Sequence, residues 1–255
     1  MLVDIHNHIL PGLDDGAQSM EEAILLAANA VANGITHIIA TPHHLNGKYT
    51  NSSLIVKEAV ARFYRELTLK NIPLKILPGQ EIYLSVNYIL DELEDNLLTL
   101  ANSGKYLLIE LPSNHIPSCT LEIFYKIQLK GYIPIIAHPE RNAVLRRNKQ
   151  LLYEFVSKGA LIQITASSLI GINGRSLKKF TKVLIKHNLV HFISSDAHHY
   201  LKRPFLLKKA YQYVKKKFSQ SHVTYYCENA NHIIFGTEFL PLPPISFKKK
   251  SSYMN

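Results

Sequence analysis

Two histidines and two aspartates lie within ten residues of one another near the start of the chain, in the stretch VDIHNHILPGLDDG. If this stretch begins as a β-strand, His6 and His8 point to the same face, because strand side chains alternate. Imidazoles together with carboxylates are typical ligands of divalent Mn, Zn or Fe. The spacing alone does not choose between Asp14 and Asp15, and a polar strand end that runs into a turn would look similar.

Further residues able to bind metal stand at the ends of other apolar runs. They are His43, His44, Glu81, Glu110, His138, Asp196, His198 and His199. In α/β folds the carboxyl ends of the strands converge on one face, where active sites lie. Six of seven predicted strands end in this way, which predicts a shared cavity for two or three ions. His44 and His199 are second members of doublets, so we expect them to point elsewhere or to lie on the substrate side. His37 and His191 begin strands and are expected to be structural.

Two arginines are predicted to enter the same cavity on loops. Arg141 follows His138 by three residues, and Arg203 follows Asp196 by seven. A guanidinium group beside a metal cluster suits phosphate recognition. Neither Cys119 nor Cys227 is followed by an arginine six residues later, so a cysteine-based phosphatase loop of the C-x5-R type is absent. These residues predict phosphate chemistry that depends on metal ions.

Seven apolar runs alternate with helical patterns along the chain. The predicted strands are 2–8, 37–41, 75–82, 106–111, 133–138, 161–166 and 190–196. The predicted helices are 19–33, 52–70, 85–95, 119–130, 143–158, 175–188 and 204–217. Ser19 and Glu22 form a capping box for the first helix, and Asn33-Gly34 gives its stop. Continuous apolar runs are typical of buried parallel strands, and this rhythm fits either an open doubly wound sheet or a closed barrel.

Length and composition limit the possible classes of protein. The 255 residues, 47% of them hydrophobic, suit one α/β barrel. We expect a single catalytic domain over 1–240 and a flexible Pro/Lys-rich tail over 241–255. No apolar run is long enough for a transmembrane helix, and the N-terminus does not resemble a signal peptide, so a cytoplasmic protein without membrane insertion is expected. The net charge of +10 is interpreted as a solvated basic surface, with no nucleic acid expected as partner.

The order of the motifs resembles a known family. H-x-H near the start, followed by TPH, PGQE, IE, AHPER and SDAH, is similar to the PHP (polymerase and histidinol phosphatase) family. Within it, DIHNHILPGLDDG with AHPER and SDAH most resembles the bacterial manganese-dependent protein-tyrosine phosphatases of capsule and exopolysaccharide operons. The resemblance covers roughly residues 1–236 and implies a distorted seven-stranded (β/α)7 TIM-like barrel, the PHP fold.

The resemblance also implies a role for each site residue. One metal ion would be bound by His6 and His8, with Asp196 helping and Glu81 bridging to a second ion. Glu110 and His138 would hold that second ion. Asp15, rather than Asp14, would hold a third ion together with His43 and His198. Arg141 and Arg203 would bind the phosphate, and the ions would be Mn, with Fe or Zn as alternatives.

The implied activity is hydrolysis of phosphotyrosine in a protein, with the tyrosine-rich tail of a bacterial tyrosine kinase as substrate and capsule or exopolysaccharide synthesis as the process controlled. Three alternatives remain open at this point. A histidinol-phosphate phosphatase of the same family would use the same metals on a small cationic substrate. A PHP nuclease would need basic and aromatic residues interleaved beside the site, and a non-catalytic metal-binding module would need fewer ligands. The oligomeric state is left open.

Overall fold

Short parallel strands and the helices that connect most of them build the molecule. The computed structural model describes residues 1–85, 89 and 97–247. Its strands are β1 (Val3–Asp4), β2 (His37–Ala40), β3 (His43–His44), β4 (Lys75–Pro78), β5 (Glu81–Tyr83), β6 (Tyr106–Glu110), β7 (Ile133–Ala137), β8 (Leu161–Thr165) and β9 (Phe192–Ser194). They pair in parallel in the orders β1-β2-β4 and β3-β5-β6-β7-β8-β9.

The two sheets form one closed ring of seven strands. β2 and β3 are successive parts of the second strand, and β4 and β5 are parts of the third. Backbone bonds join the first strand to the last: the Asp196 amide donates to the His6 carbonyl at 2.9 Å, and the His8 amide donates to the Ala197 carbonyl at 2.8 Å. This closure excludes the open doubly wound sheet and confirms the predicted barrel.

The third strand is divided because of Gly79. A Cβ at this position would lie 2.8 Å from Ile39 Cγ2 and 3.1 Å from Leu100 Cδ2, so only glycine allows the chain to approach the barrel this closely. β4 therefore pairs with β2, and β5, which carries Glu81, pairs with β3 and β6. The sequence pattern predicted one continuous strand over 75–82, and this was wrong in detail.

The described helices are α1 (Met20–Ala32), α2 (Ser53–Leu69), α3 (Thr120–Leu129), α4 (Ala143–Arg147), α5 (Lys149–Ser157), α6 (Ala166–Ile170), α7 (Arg175–Lys186), α8 (Leu207–Lys217) and α9 (Gln220–Phe235). The Ser19 side chain accepts a hydrogen bond from the Glu22 amide at 3.3 Å, and the chain turns at Gly34 with φ +77°, so both predicted ends of α1 are confirmed. The helix predicted over 143–158 is two helices, broken at Asn148. Most of the helix predicted over 85–95 lies outside the described residues.

Two helices were missed by the sequence patterns, and one of them packs against the inner side chains of the barrel. α9 is capped by Ser219, whose side chain accepts from the His222 amide, and it ends at Gly236. Its residues Ala230 and Ile233 pack against the inner cluster of barrel side chains. That cluster contains Val3, Ile5, Ile39, Leu108, Ile135 and Phe192. The second missed helix, α6, follows β8 directly.

The chain after α9 is irregular but held in place up to residue 247. The Ile245 amide donates to the His187 carbonyl at 2.8 Å, and Asn188 donates to the Pro243 carbonyl at 3.0 Å. The ring of Phe247 lies 4.0 Å from that of His187. The described part of the tail is therefore anchored to the end of α7, and flexibility of 241–255 stays a prediction. Among the described residues, no helix has the length and apolar character needed to cross a membrane.

Candidate metal centre

Four predicted ligands from three distant parts of the chain meet at the carboxyl ends of the strands. His6 Nε2 lies 3.3 Å from Glu81 Oε1 and 3.5 Å from Asp196 Oδ1. His8 Nε2 lies 3.4 Å from Glu81 Oε2 and 3.3 Å from Asp196 Oδ1. All four side chains are buried. Such distances leave room for a cation between the nitrogen and oxygen atoms.

The hydrogen bonds of the two imidazoles show that this position suits a metal ion. His6 Nδ1 lies 2.9 Å from Gln163 Oε1, and His8 Nδ1 lies 2.6 Å from Asp14 Oδ2. Both of these oxygens are acceptors, so each Nδ1 carries the proton. In the neutral rings each Nε2 is then a lone-pair donor, and the two Nε2 atoms are only 3.3 Å apart. Two converging lone pairs beside two carboxylates match the donor set of a divalent metal.

The adjacent aspartates have different surroundings. The buried Asp14 carboxylate accepts hydrogen bonds from His8 Nδ1, from the Gly16 amide at 2.9 Å and from the His43 amide at 3.0 Å. Burial opposes its ionisation, but the charge of His8 and these hydrogen bonds outweigh burial and lower its pKa. Asp14 therefore orients a candidate ligand through an outer-shell contact. The side chain of Asp15 is 49% exposed, and its Oδ1 lies 3.5 Å from His43 Nε2.

A second group of candidate ligands surrounds Glu81. His138 Nε2 lies 2.8 Å from Glu81 Oε1 and 3.9 Å from Glu110 Oε1. His43 Nδ1 lies 2.9 Å from Glu81 Oε2 and 3.7 Å from Glu110 Oε2. One atom from each of His43, Glu81 and Glu110 lies within 4.8 Å of the others. The two oxygens of Glu81 thus face both groups, which is the placement a bridging carboxylate requires.

A third group lies towards solvent around Asp15. Its Oδ1 is 3.4 Å from His198 Nε2 and 3.5 Å from His43 Nε2. His198 Nδ1 is 3.0 Å from the Asp196 carbonyl, so its Nε2 is also free to donate a lone pair. His8 belongs to this group as well, since its ring lies 3.9 Å from that of His198. The sequence did not predict that His8 would border two groups.

The electrostatics of the cluster favour positive charge. Burial opposes ionisation of Glu81, but the charge of His6, the hydrogen bond from His138 and the nearby His43 imidazole hold its pKa well below its usual range. Burial likewise opposes protonation of His6, yet the charges of Glu81 and Asp196 raise its pKa. Any metal ion would therefore compete with protons for this site, and binding would release them.

Two guanidinium groups meet at the outer oxygen of Asp196. Arg141 Nη1 contacts Asp196 Oδ2, and Arg203 Nη2 lies 2.8 Å from the same atom. Asp196 Oδ1 faces the imidazoles, so one carboxylate separates the candidate metal position from the two cations. Burial disfavours the charged form of Asp196, but Arg141 above all keeps its pKa well below the usual range. Asp196 has φ 53° and His138 has φ 29°, conformations that cost about 1–3 kcal/mol each and are common at functional sites.

Neither second member of the two histidine doublets joins the three groups. His44 is 1% exposed and follows His43 in β3, so its side chain is directed to the other face of the strand. His199 Nδ1 accepts from the Leu201 amide at 3.0 Å and from the Lys202 amide at 3.3 Å. It thereby shapes the loop that carries Arg203. The substrate-side role suggested for both histidines stays a prediction.

The sequence patterns missed the contribution of the sixth strand. Gln163 in β8 is fully buried, donates to the Ile164 carbonyl at 2.8 Å and accepts from His6. A glutamine in an otherwise apolar strand, LIQIT, was the available signal, because a buried amide needs partners. Asp4 was also missed. It accepts hydrogen bonds from the Ser195 amide and hydroxyl, and burial raises its pKa to about 6.

Comparison with known proteins gives consistent matches over nearly the whole chain. The family model for capsular polysaccharide synthesis, CpsB/CapC, matches residues 2–235. The tyrosine-protein phosphatase YwqE of Bacillus subtilis (strain 168) is 44% identical over 252 residues, covering 99% of both chains. The tyrosine-protein phosphatase CpsB of Streptococcus pneumoniae is 30% identical over 224 residues, covering 85% of this chain and 91% of its own.

A solved structure shares the fold closely. It comes from work on YwqE from Bacillus subtilis and CpsB from Streptococcus pneumoniae, described as unique metal-dependent tyrosine phosphatases. The TM-score is 0.93 at 44% sequence identity, and the match covers 97% of this chain and 100% of the other. The overall fold is thus shared over 97% of this chain.

Proposed function

Because this chain belongs to the CpsB/CapC family of capsular polysaccharide synthesis, we propose that it is a metal-dependent phosphatase that hydrolyses phosphotyrosine in proteins. One observation carries the proposal. The Nε2 lone pairs of His6 and His8 converge beside two carboxylates, one of which also binds two guanidinium groups. This arrangement offers positions for metal ions and for a phosphate side by side.

The residues that would hold the ions follow from the three groups. His6, His8 and Asp196 Oδ1 would hold one ion, with Glu81 bridging to a second at Glu110 and His138, and Asp15, His43 and His198 would hold a third. Bound divalent ions would supply Lewis acidity to the phosphoryl group and would lower the pKa of a coordinated water. Mixed carboxylate and imidazole donors suit Mn, with Fe and Zn as alternatives.

Arg141 and Arg203 are the groups proposed to bind the phosphoryl oxygens. Each guanidinium has five N–H donors in a fixed plane, and the contact with Asp196 Oδ2 leaves others available to a ligand. Asp196 holds both groups at the cavity, so little reorganisation is needed when a phosphate enters. Fixed donors at this position would stabilise the charge that develops on the phosphoryl group in the transition state.

A cavity of about 200 Å³ is lined by Arg141 together with Glu110, Ser113 and His138, among others. We assign it to the phosphotyrosine side chain. A tyrosine phenolate, whose conjugate acid has a pKa of about 10, leaves without strong protonation. The placement of His44 and His199 outside the three groups is compatible with such a leaving group.

The finer substrate assignment rests on the family resemblance. We propose the phosphorylated, tyrosine-rich tail of a bacterial tyrosine kinase as the protein substrate, and a cytoplasmic site of action. Phosphorylated tails are anionic and the chain carries a net charge of +10, so long-range attraction would favour their encounter. Copurification with the kinase and cell fractionation test these two points.

Metal analysis of the purified protein, together with phosphotyrosine-peptide turnover, tests the main proposal. His138→Ala and Arg203→Ala should abolish most hydrolysis of p-nitrophenyl phosphate, with Arg203→Ala losing about 10²- to 10³-fold in kcat. His37→Ala and Arg147→Ala are matched controls, since both residues lie outside the site, and they should retain activity.

Two results would overturn the proposal. Full activity after complete removal of metal by a chelator would exclude metal-dependent chemistry. Faster turnover of histidinol phosphate than of phosphotyrosine peptides, at equal metal loading, would assign the same site to the small cationic substrate instead.

A further inference from the structure

The positive charge of the chain is concentrated in one segment. Residues 175–217 carry twelve of the 29 lysines and arginines but only one of the 19 acidic residues, Asp196. The segment therefore has a formal charge of +11, and the rest of the chain has −1. Because Asp196 is buried in the metal centre, no exposed carboxylate within the segment offsets its cations.

The cations of α7 lie on one face of the helix. They follow one another at spacings of three, one, three and four residues, which keeps them on a single stripe. They are Arg175, Lys178, Lys179, Lys182 and Lys186. The opposite side of the helix is buried against the barrel through Phe180, Thr181, Leu184 and Ile185. The stripe therefore faces away from the barrel, and within it the partly exposed Lys178 donates to the Ile170 carbonyl at 2.9 Å.

α8 extends the same surface. Its five lysines are all exposed, and its buried positions are apolar or aromatic. These lysines are Lys208, Lys209, Lys215, Lys216 and Lys217. Lys178 Nζ of α7 lies 4.6 Å from the ring centroid of Tyr213 in α8. Tyr213 is one helical turn from both Lys209 and Lys216, so the cations of the two helices adjoin. We call the ten cations of α7 and α8 the basic face.

Within the described part of the chain, no carboxylate lies within salt-bridge distance of the basic face. The cations of the ion pairs found there are elsewhere, for example Lys105 and Lys126. Two large apolar side chains are exposed at the end of the face nearest the metal centre. Ile172, just before α7, is 64% exposed, and Leu201, next to Lys202 and before α8, is 71% exposed. Cations without a carboxylate partner beside exposed aliphatic side chains are typical of surfaces that bind a lipid interface.

We propose that the basic face attaches the protein to an anionic membrane surface. Nine of its ten cations are lysines, which act as hydrated point charges and suit diffuse attraction to many headgroups. A site for one phosphorylated peptide would instead favour the fixed forks of arginine. Each helix is about 17 Å long, so the face spans several lipid headgroups. Ile172 and Leu201 would contact the interface at one end.

This attachment has a consequence for the cavity. The loop that carries Lys202 and Arg203 joins the end of the basic face to the metal centre. A protein adsorbed through the face would hold its cavity beside the bilayer, where it would reach phosphate esters on membrane-associated proteins. The adsorption itself does not depend on which phosphate ester is hydrolysed.

Flotation of the full chain with vesicles tests the proposal. Phosphatidylcholine vesicles in which roughly a third of the lipid is phosphatidylglycerol should bind the protein at low salt, and pure phosphatidylcholine vesicles should not. A charge-reversed face variant should lower the partition coefficient by at least about tenfold. It carries Lys179→Glu, Lys186→Glu, Lys209→Glu and Lys216→Glu.

A control of equal net charge separates the face from total charge. It reverses four exposed cations in and just after α2 by Lys57→Glu, Arg62→Glu, Arg65→Glu and Lys70→Glu. The control should bind vesicles within about twofold of the natural sequence. Unchanged p-nitrophenyl phosphate hydrolysis would show that both variants are folded.

Several results would overturn the inference. One is equal loss of vesicle binding in the face variant and the control, which would mean that only total charge matters. Another is no binding of the natural sequence to anionic vesicles. A third is tight binding of an acidic glutamate–tyrosine copolymer or of RNA to the face while vesicles fail to compete. The double variant Ile172→Ser and Leu201→Ser should reduce the part of vesicle binding that persists at high salt. An unchanged dependence of binding on salt would contradict the contact of these two side chains with lipid.

Discussion

Asp14→Asn and Asp15→Asn should damage the protein in different ways, although the two residues are neighbours. The carboxylate of Asp14 is buried and accepts three hydrogen bonds from within the protein. The carboxylate of Asp15 is half-exposed and lies within 3.5 Å of two imidazole nitrogens. We therefore expect Asp14→Asn to destabilise the fold and Asp15→Asn to weaken metal binding.

The three donors around Asp14 set the size of the first effect. Oδ2 accepts from His8 Nδ1 and from the His43 amide, whereas Oδ1 accepts from the Gly16 amide. An asparagine has one oxygen, so its amino group faces at least one of these N–H donors in either orientation. Loss of a charge-assisted hydrogen bond and an unsatisfied buried donor together cost about 2–4 kcal/mol. For a chain of this length the expected fall in Tm is roughly 4–16 °C.

The assay compares the two variants without metal and then with it. Urea unfolding of chelator-treated protein should show the loss for Asp14→Asn, and a change within about 0.5 kcal/mol for Asp15→Asn. Titration with Mn²⁺ should then show weaker binding of one ion to Asp15→Asn. The loss of affinity should be at least as large as the effect of removing a residue that only orients a ligand, which is about ten- to hundredfold.

A reversed pattern would refute the assignment of roles. If Asp14→Asn kept its unfolding free energy and lost one bound ion, Asp14 would be the ligand and Asp15 the outer residue. If both variants lost the same stability without metal, the half-exposed Asp15 carboxylate would stabilise the fold as much as the buried Asp14 does. The separation of the two roles by exposure would then be wrong.

Three further changes test other contacts of the site and fold. Gln163→Leu removes the acceptor of His6 Nδ1, so metal affinity measured by chelator competition should fall about ten- to hundredfold; unchanged affinity would contradict the orienting role. Burial lowers the pKa of His191 from 6.5 to about 3. Below pH 6.5 the unfolded chain therefore binds a proton that the folded chain does not. The free energy of unfolding then decreases as the pH is lowered, by about 2 kcal/mol at pH 5. In His191→Asn, the asparagine Oδ1 can accept the hydrogen bond from the Ile162 amide in place of Nδ1. Urea titrations should show that this variant loses less unfolding free energy between pH 6.5 and pH 5 than the natural sequence. An equal loss in both proteins would refute the assignment of this pH dependence to His191. Arg203→Lys should recover little of the kcat lost in Arg203→Ala, because a lysine lacks the planar fork; near-full recovery would mean that charge alone suffices.

The barrel could be predicted because its signals are local. Runs such as YLLIEL and IPIIAH are strands because parallel strands are covered on both sides and need no polar alternation. The division at Gly79 and the closure between Asn7 and Ala197 depend on contacts between residues far apart in sequence. α9 shows the same limit. Ser219 and Gly236 mark its ends, but Asn229 interrupts the apolar pattern, and only the folded barrel shows why: its amide donates to the His191 carbonyl.

The candidate ligands could be predicted from residue type and strand position, but their outer contacts could not. A strand-end histidine is visible in the sequence, whereas the nitrogen that it offers depends on what binds its other nitrogen. For His8 that partner is Asp14, and the contact requires the 12–17 loop to fold back until Gly16 touches the His8 backbone, where a Cβ would lie 1.9 Å from the His8 carbonyl oxygen. Gly16→Ala should therefore displace Asp14 and free His8 Nδ1, although neither ligand type nor charge would change. The sequence supplies the donor atoms, and the close approach of this glycine determines which of them face a metal ion.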